Sequence, residues 1–179
     1  MTMRTDLSNT WKDLRLEPIK AVYAQSVFKD FSDSRIYEFI PYPPPPTLEA
    51  LEERFKKFEE GKSPDGRQIW LNWLVLDRPK NKHVAWLQAT VTDGVAEIAY
   101  VVFPNYWKMG YGYRSVSLML KYLASSFSLS KIRATMSVGN FASIALARKI
   151  GMKCIDRIEE GDCLSNGLRA EFVYEMAME

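Results

Sequence analysis

A short segment rich in glycine and tyrosine, residues 105–115 (NYWKMGYGYRS), has the composition best suited to chemistry in this chain. Gly110 and Gly112 lie one residue apart, between an apolar run typical of a strand and an amphipathic run typical of a helix. Glycine lets a ligand approach the backbone closely, and the first amides of the following helix have no partner within it. Because the helix dipole adds partial positive charge there, the segment is either a phosphate cradle or only a turn.

Two better-known phosphate-binding loops do not match this segment. A P-loop has Lys and then Ser or Thr directly after its second glycine, and a dinucleotide-binding loop begins directly after its strand. Neither arrangement is present, since a spacer separates Gly110 from the apolar run that ends at Phe103. Lys108 and Arg114 flank the loop and could add positive charge. The Gly-x-Gly pattern alone is also compatible with a structural turn.

The composition limits which functions are possible. With 179 residues, 47% of them hydrophobic, the chain can bury a sizeable core, and we expect a single domain over 1–179 with a flexible N-terminus at 1–12. The 24 basic and 22 acidic side chains nearly balance, which argues against a nucleic-acid partner. No apolar run has the length of a membrane helix, and the N-terminus lacks a signal-peptide pattern. We therefore expect a cytoplasmic protein that has no membrane partner.

The sequence predicts no metal site. The two cysteines, Cys154 and Cys163, do not have a metal-ligand spacing, and His83 is the only histidine. His83 lies in the polar turn RPKNKH, where we expect a solvated side chain. A Cys–His pair for nucleophilic catalysis stays open on counting alone.

Periodicity and turn residues predict the elements that position the loop. Helices are predicted at 19–31, 32–40, 48–61, 113–127 and 140–151, and strands at 13–19, 67–77, 83–91, 95–103, 131–138, 152–160 and 169–178. Asp93 and Gly94 form a strong hairpin signal. The proline-rich stretch 41–46 predicts a stiff connector before a helix capped by Thr47, with a ligand for a proline-recognition domain as the alternative. The order of elements predicts an α+β domain with a mixed sheet.

Two blocks of the sequence resemble the GNAT acetyltransferase superfamily. Residues 101–115 (VVFPNYWKMGYGYRS) are similar to its acetyl-CoA-binding core, with Trp107 in place of the usual Arg or Gln. That departure is familiar in the branch resembling ribosomal-protein N-terminal (alanine/serine) acetyltransferases. Residues 140–153 (NFASIALARKIGMK) resemble a second block of the same branch. The resemblance extends over about residues 13–178.

The resemblance implies a single GNAT-like domain: a twisted, mostly antiparallel mixed sheet with a splayed parallel strand pair and helices on both faces. The strands at 95–103 and 131–138 would form that pair, and the pantetheine arm of acetyl-CoA, the implied co-substrate, would lie between them. Its pyrophosphate would bind the amides of residues 109–114. The residues that the resemblance places at the cofactor are Val101, Val102, Phe103, Lys108, Met109, Gly110, Tyr111, Gly112, Tyr113, Arg114, Asn140 and Ser143.

The implied reaction is direct attack of an amine on the thioester, which needs no enzyme nucleophile or metal. A lysine-like amine is mostly protonated at neutral pH, so a carboxylate base would help. Glu97, in the strand beside the cofactor, is the first candidate, and Glu171 is the second. Relatives often have a tyrosine acid where this chain has Ala147, and the resemblance implies that Ser143 takes that role.

The acceptor amine is the part of the reaction that the sequence determines least. Tyr37, Phe39 and Tyr42 are predicted to line its pocket. A protein N-terminus, a small polyamine or amino acid, and an aminoglycoside are all open as acceptors, and a homodimer is plausible. The alternative function is a catalytically silent CoA-binding sensor or interaction module, supported only by the missing tyrosine. An unrelated phosphate-binding fold is a third possibility.

Overall fold

The computed structural model describes residues 12–161, 163–164 and 167–178. The helices are α1 (Ala24–Phe31), α2 (Leu48–Glu59), α3 (Tyr111–Ser126) and α4 (Phe141–Lys149), with 3-10 turns at Ala21–Tyr23, Ser34–Tyr37 and Pro104–Tyr106. The strands are β1 (Leu14–Pro18), β2 (Ile69–Asp77), β3 (Lys82–Thr92), β4 (Val95–Val102), β5 (Lys131–Ser137), β6 (Lys153–Ile158), β7 (Cys163–Leu164), β8 (Gly167–Leu168) and β9 (Glu171–Ala177). The flexible N-terminus predicted at 1–12 lies outside the described residues except for its last position.

One mixed sheet of seven strands organises the molecule, in the order β1-β2-β3-β4-β5-β9-β6, and β7 and β8 form a separate hairpin. Every neighbouring pair in the large sheet is antiparallel except β4 and β5. This confirms the predicted α+β fold and its mostly antiparallel mixed sheet. The predicted hairpin at Asp93 and Gly94 is also present, and both residues have positive φ, as a tight hairpin turn requires.

The parallel pair separates after a short contact. β4 and β5 are paired from Val95 to Glu97 and from Lys131 to Arg133, and beyond these residues both strands continue without being registered to each other. Backbone groups in the resulting gap are available to a ligand, because a strand edge carries unpaired N–H and C=O groups. The predicted splayed pair is thereby confirmed.

Helices cover both faces of the sheet. α3 and α4 pack on one face around Val116, Met119 and Leu123, all of which are fully buried. α1 and α2 pack on the other face, where the Phe31 and Phe58 rings lie against the Trp86 ring. Each strand contributes to both layers because successive side chains point to opposite faces.

Three local predictions were wrong. Residues 32–40 form no α-helix, because only the 3-10 turn Ser34–Tyr37 is present, started by the Asp33 carboxylate. The helix predicted at 19–31 becomes an α-helix only at Ala24, and Val22, which lies before it, is 76% exposed. His83 is not solvated: its Nε2 lies 2.8 Å from Glu17 Oε2, and both side chains are largely buried. Among the described residues, no helix has the length and apolar character needed to cross a bilayer.

Candidate active site

The glycine-rich loop has an unusual backbone conformation at the start of α3. Lys108 and Gly110 have φ of +60° and +80°, and Gly110 occupies the N-cap position of α3. α3 begins at Tyr111, two residues earlier than predicted, and its first helical bond runs from the Arg114 amide to the Gly110 carbonyl. The amides of Tyr111 and Gly112 precede that bond and are therefore in the position where helix starts bind anions.

The two glycines serve different purposes. A Cβ on Gly110 would meet nothing within 4 Å, so this position is constrained by its left-handed φ and not by space. A Cβ on Gly112 would lie 3.3 Å from Leu146 Cδ2 and 3.7 Å from Val102 Cγ2. Gly112 therefore lets α3 approach β4 and α4 closely at the mouth of the gap.

The charges near the loop differ from the prediction. Lys108 lines the pocket described below, and so does Lys149 of α4, whose Nζ lies 4.8 Å from the Tyr113 ring centre. The Arg114 guanidinium forms an ion pair with Asp13 and does not line the pocket. This pairing holds the pKa of the Asp13 carboxyl below its usual range. Met109 is 54% exposed and also lies outside the pocket lining.

The backbone of β4 presents different residues to the gap than expected. The Phe103 amide donates to the Val84 carbonyl at 3.0 Å, and the Phe103 side chain is fully buried. Antiparallel strands alternate hydrogen-bonded and non-bonded pairs, so Val101 also directs its backbone groups toward β3. The groups that face the gap come from Tyr100 and Val102. Of the three predicted strand residues, Val102 is therefore the one whose backbone groups face the gap, where its carbonyl accepts from Trp107 Nε1 at 2.6 Å.

Two hydroxyl groups meet where β4 approaches α4. Ser143 Oγ donates to the Tyr100 hydroxyl at 2.8 Å, and that hydroxyl lies 3.2 Å from the Ser143 carbonyl oxygen. Burial raises the pKa of Tyr100, which keeps the phenol protonated at neutral pH. Asn140 caps α4 by accepting the Ser143 amide at 3.1 Å and thus fixes the turn that presents Ser143. The Tyr100 hydroxyl was missed from the sequence because its partner is 43 positions away.

A pocket of about 820 Å³ runs through the gap from one face of the sheet to the other. On the α3–α4 side its walls include Tyr100, Val102, Gly110, Gly112, Ser143 and Lys149. On the α1–α2 side they include Arg35, Glu38, Phe39, Tyr42, Gln88 and Glu171. Of the three predicted acceptor residues, Phe39 and Tyr42 line this pocket, while Tyr37 packs behind Tyr42 with 6.3 Å between ring centres.

The carboxylates are arranged differently from the prediction. Glu97 lies at the closed end of the gap, 46% exposed, in an ion pair with Arg133 at 3.4 Å, and it does not line the pocket. Glu171 does line it. Glu171 is the cross-strand partner of Ser137, so both side chains lie on the α1–α2 side of the sheet. The structure thus brings Glu171, and not Glu97, to the same pocket as Ser143.

The pocket wall contains a buried polar atom without a partner among the described residues. Ser137 Oγ, in a residue 5% exposed, makes no hydrogen bond. Buried hydroxyls normally have partners, so this one is consistent with a bound molecule or water completing the site. Within the described ranges, no group of three or more His, Cys, Asp and Glu side chains could hold a metal ion.

A helix start suited to phosphate, a splayed parallel strand pair and a hydroxyl pair at their junction together define a GNAT-like acyltransferase. Comparison with known families agrees with this class. The sequence profile of the acetyltransferase (GNAT) domain matches residues 13–153, and the chain belongs to that family. It is therefore an N-acyltransferase that depends on acetyl-CoA. No curated protein sequence matches the chain significantly.

Solved structures with the same fold include proteins that modify different amines. An acetyltransferase of the GNAT family from Bacillus anthracis is 23% identical, with a TM-score of 0.80 over 93% of this chain and 95% of that one. The ribosomal-protein-S5-alanine acetyltransferase from Vibrio fischeri is 13% identical, with a TM-score of 0.80 over 95% and 96%. Spermidine N-acetyltransferase from Vibrio cholerae, bound to CoA and spermine, is 15% identical, with a TM-score of 0.78 over 93% and 96%. The predicted family is confirmed, and the predicted branch is represented among these neighbours.

Proposed function

We propose that this protein transfers the acetyl group of acetyl-CoA directly to a primary amine, with the donor on the α3–α4 side of the pocket and the acceptor on the α1–α2 side. The observation that carries this proposal is the pocket that passes through the sheet at the β4–β5 gap. It joins the anion-binding helix start to a wall with carboxylates, and the hydroxyl pair lies between them. Direct attack requires both substrates to meet at one such junction.

The donor side fits acetyl-CoA by its own geometry. The amides of Tyr111 and Gly112, with Lys108 and Lys149 nearby, can hold the pyrophosphate. The Val102 amide and the backbone groups of Tyr100 can bond the pantetheine arm, while the Val102 carbonyl already accepts from Trp107 Nε1. When bound, acetyl-CoA supplies a thioester carbonyl for the attack by the amine.

Glu171 is the proposed general base. Its place on the pocket wall lets the carboxylate hold the incoming ammonium group and take a proton from it, directly or through a water bound at Ser137 Oγ. Glu97, the first candidate from the sequence, lies outside the pocket lining and is ion-paired with Arg133. To act as the base it would have to break that ion pair and reach the amine from outside the pocket. The geometry therefore favours Glu171.

Tyr100 and Ser143 are the proposed acid pair. As the new C–N bond forms and the C–S bond breaks, the Tyr100 hydroxyl gives its proton to the leaving sulfur, and Ser143 Oγ–H supports the phenolate by the hydrogen bond already present. The Tyr100–Ser143 pair supplies the general acid that a tyrosine at the position of Ala147 would otherwise provide. It also argues against a catalytically silent protein.

The acceptor is proposed to be an amine with a single positive charge, such as a protein N-terminus, in preference to a polyamine. On the α1–α2 side the pocket has two carboxylates, Glu38 and Glu171, and one guanidinium, Arg35. Arg35 is paired with Asp33, so the two carboxylates are the groups that can hold cations, which is too few for an amine with several ammonium groups. The structural neighbours include enzymes of both kinds, so the fold itself does not select one. A homodimer remains a prediction.

The test is an assay of CoA release with three acceptors: peptides with a free N-terminus, the same peptides with a blocked N-terminus, and spermidine. We expect activity with the free peptides, and we expect Glu171→Gln to remove most of it. Glu175→Gln is the matched control, because Glu175 lies on the same strand but pairs with Arg133 and Lys131 away from the pocket. Binding of acetyl-CoA without CoA release from any amine would favour the silent binding module.

A further inference from the structure

A buried polar network lies beside the glycine-rich loop, and of its members Tyr111 lines the pocket while Asp77 and Lys80 do not. Asp77, at the end of β2, is 3% exposed, and Tyr111 is 4% exposed. The Tyr111 hydroxyl donates to Asp77 Oδ2, and Lys80 Nζ donates to the same hydroxyl at 2.7 Å. Asp77 Oδ1 accepts the Lys80 amide at 3.2 Å. A buried carboxylate is destabilising unless it is fully hydrogen-bonded, so Asp77 depends on its bonds to Tyr111 and Lys80.

The network is attached to the loop at a defined point. Tyr111 is the residue directly after Gly110, and the loop residues 108–110 include two with left-handed φ. On the other side of these residues, Trp107 Nε1 donates to the Val102 carbonyl at 2.6 Å. The loop is therefore held by an anchored side chain at each end. Left-handed φ at a residue other than glycine, such as Lys108, is unfavourable and persists only where the surroundings enforce it.

We propose that Asp77 and Lys80 are positioning residues that hold the phosphate-binding loop in its binding conformation through the hydroxyl of Tyr111. This inference rests on the proposed function, in which the loop binds the pyrophosphate of acetyl-CoA. The network links the turn between β2 and β3 to the first residue of α3. The network would act before the ligand binds, by raising the fraction of molecules whose loop is already in the binding conformation. The apparent affinity for the ligand is proportional to that fraction.

The hydroxyl can be separated from the packing of the ring. The Tyr111 ring packs edge-on against Tyr106 with 5.6 Å between centres, and Lys80 Nζ and the Arg114 guanidinium lie 5.1 Å and 5.4 Å from its centre. Phenylalanine keeps these ring contacts and removes only the hydrogen bonds to Asp77 and Lys80. A change caused by Tyr111→Phe therefore reports on the network.

The experiment compares wild type, Tyr111→Phe and Tyr122→Phe by calorimetric titration with CoA and by steady-state kinetics. Tyr122 lies on the same helix and is 39% exposed, so its variant makes the same chemical change away from the loop. We expect Tyr111→Phe to raise the Kd for CoA and the KM for acetyl-CoA by about tenfold, with kcat changed less than twofold. Tyr122→Phe should match wild type. Asp77→Asn, which keeps an acceptor oxygen, should recover part of the affinity relative to Asp77→Ala.

Two results would overturn the inference. An unchanged Kd for CoA in folded Tyr111→Phe, with only the thermal midpoint lowered, would assign the network to global stability. A fall in kcat without a change in Kd would assign it to catalysis. If wild type itself did not bind CoA, the proposed function would fail first, and the inference would fail with it. The wild-type titration therefore distinguishes the two failures.

Discussion

The two sides of the pocket are built in different ways. The α3–α4 side, called the continuous side below, is built mainly from one stretch of the chain, residues 98–113, together with residues of β5 and α4. The α1–α2 side, called the dispersed side below, is built from five separate places: the 35–42 segment, β3, β4, β5 and β9. A site built mainly from one stretch is specified locally and suits a ligand that does not vary, acetyl-CoA. A site assembled from dispersed side chains can change its acceptor without changing the donor side.

The largest effect is expected at the carboxylate of the dispersed side. Glu171→Gln should lower kcat by about 10²–10³-fold at saturating acetyl-CoA, because it removes the base that receives the amine proton. Glu97→Gln should change kcat much less, since that side chain lies outside the pocket lining. Parallel initial-rate measurements on both variants decide between them. A larger loss in Glu97→Gln would contradict the assignment.

The next effect concerns the continuous side. Gly110→Val should weaken CoA binding by about tenfold or more, because a β-branched residue is strained at φ of +80°. Gly66→Val is a matched control, since Gly66 has φ of +71° and equally open surroundings but lies in another loop. Both variants should lose thermal stability, and only Gly110→Val should lose affinity in a calorimetric titration. Equal affinities would show that the loop is only a turn.

A smaller effect is expected at the junction between the two sides. Tyr100→Phe should lower kcat by about tenfold and leave the KM for acetyl-CoA nearly unchanged, since a thiolate needs less acid assistance than an alkoxide. Ser143→Ala should reduce kcat less, because the serine acts through the tyrosine. Steady-state kinetics on the two single variants and on the double variant test this pairing. Fully additive losses would show that the two hydroxyls act separately.

The smallest effect is a pH dependence of stability. Burial raises the pKa of Tyr100 above the ordinary tyrosine value of about 10. Its contribution to the free energy of unfolding is therefore fully present below that value and is lost as the pH rises through the folded-state pKa. Tyr100→Phe should lose stability less steeply than wild type above pH 10, as measured by urea unfolding. Identical slopes would mean that Tyr100 is not shielded from water.

The sequence predicted much of the continuous side because its signals are local. The Gly110 and Gly112 pair and the Asn140 cap are each recognisable within a few residues, and the structure places them at a helix start. The parallel pair and the two helical layers followed from the resemblance and are confirmed. The start of α3 was predicted two residues late, and the contact of its first residue, Tyr111, with Asp77 was not predicted.

The dispersed side was harder to predict for a physical reason. Which glutamate faces the pocket depends on strand register, with Glu97 opposite Arg133 and Glu171 opposite Ser137. The first register belongs to the β4–β5 pair and the second to the insertion of β9 between β5 and β6, and no local pattern encodes either. The burial of His83 beside Glu17 likewise depends on the pairing of β1 with β2 and β2 with β3.

The central claim is that donor and acceptor meet in one pocket and that the acetyl group passes between them without attachment to the protein. Two-substrate initial-rate kinetics test it most directly, with acetyl-CoA varied at several fixed concentrations of a peptide with a free N-terminus. Direct transfer predicts double-reciprocal lines that intersect, because both substrates must be bound together. Parallel lines, the pattern of a covalent acetyl-enzyme, would contradict the account.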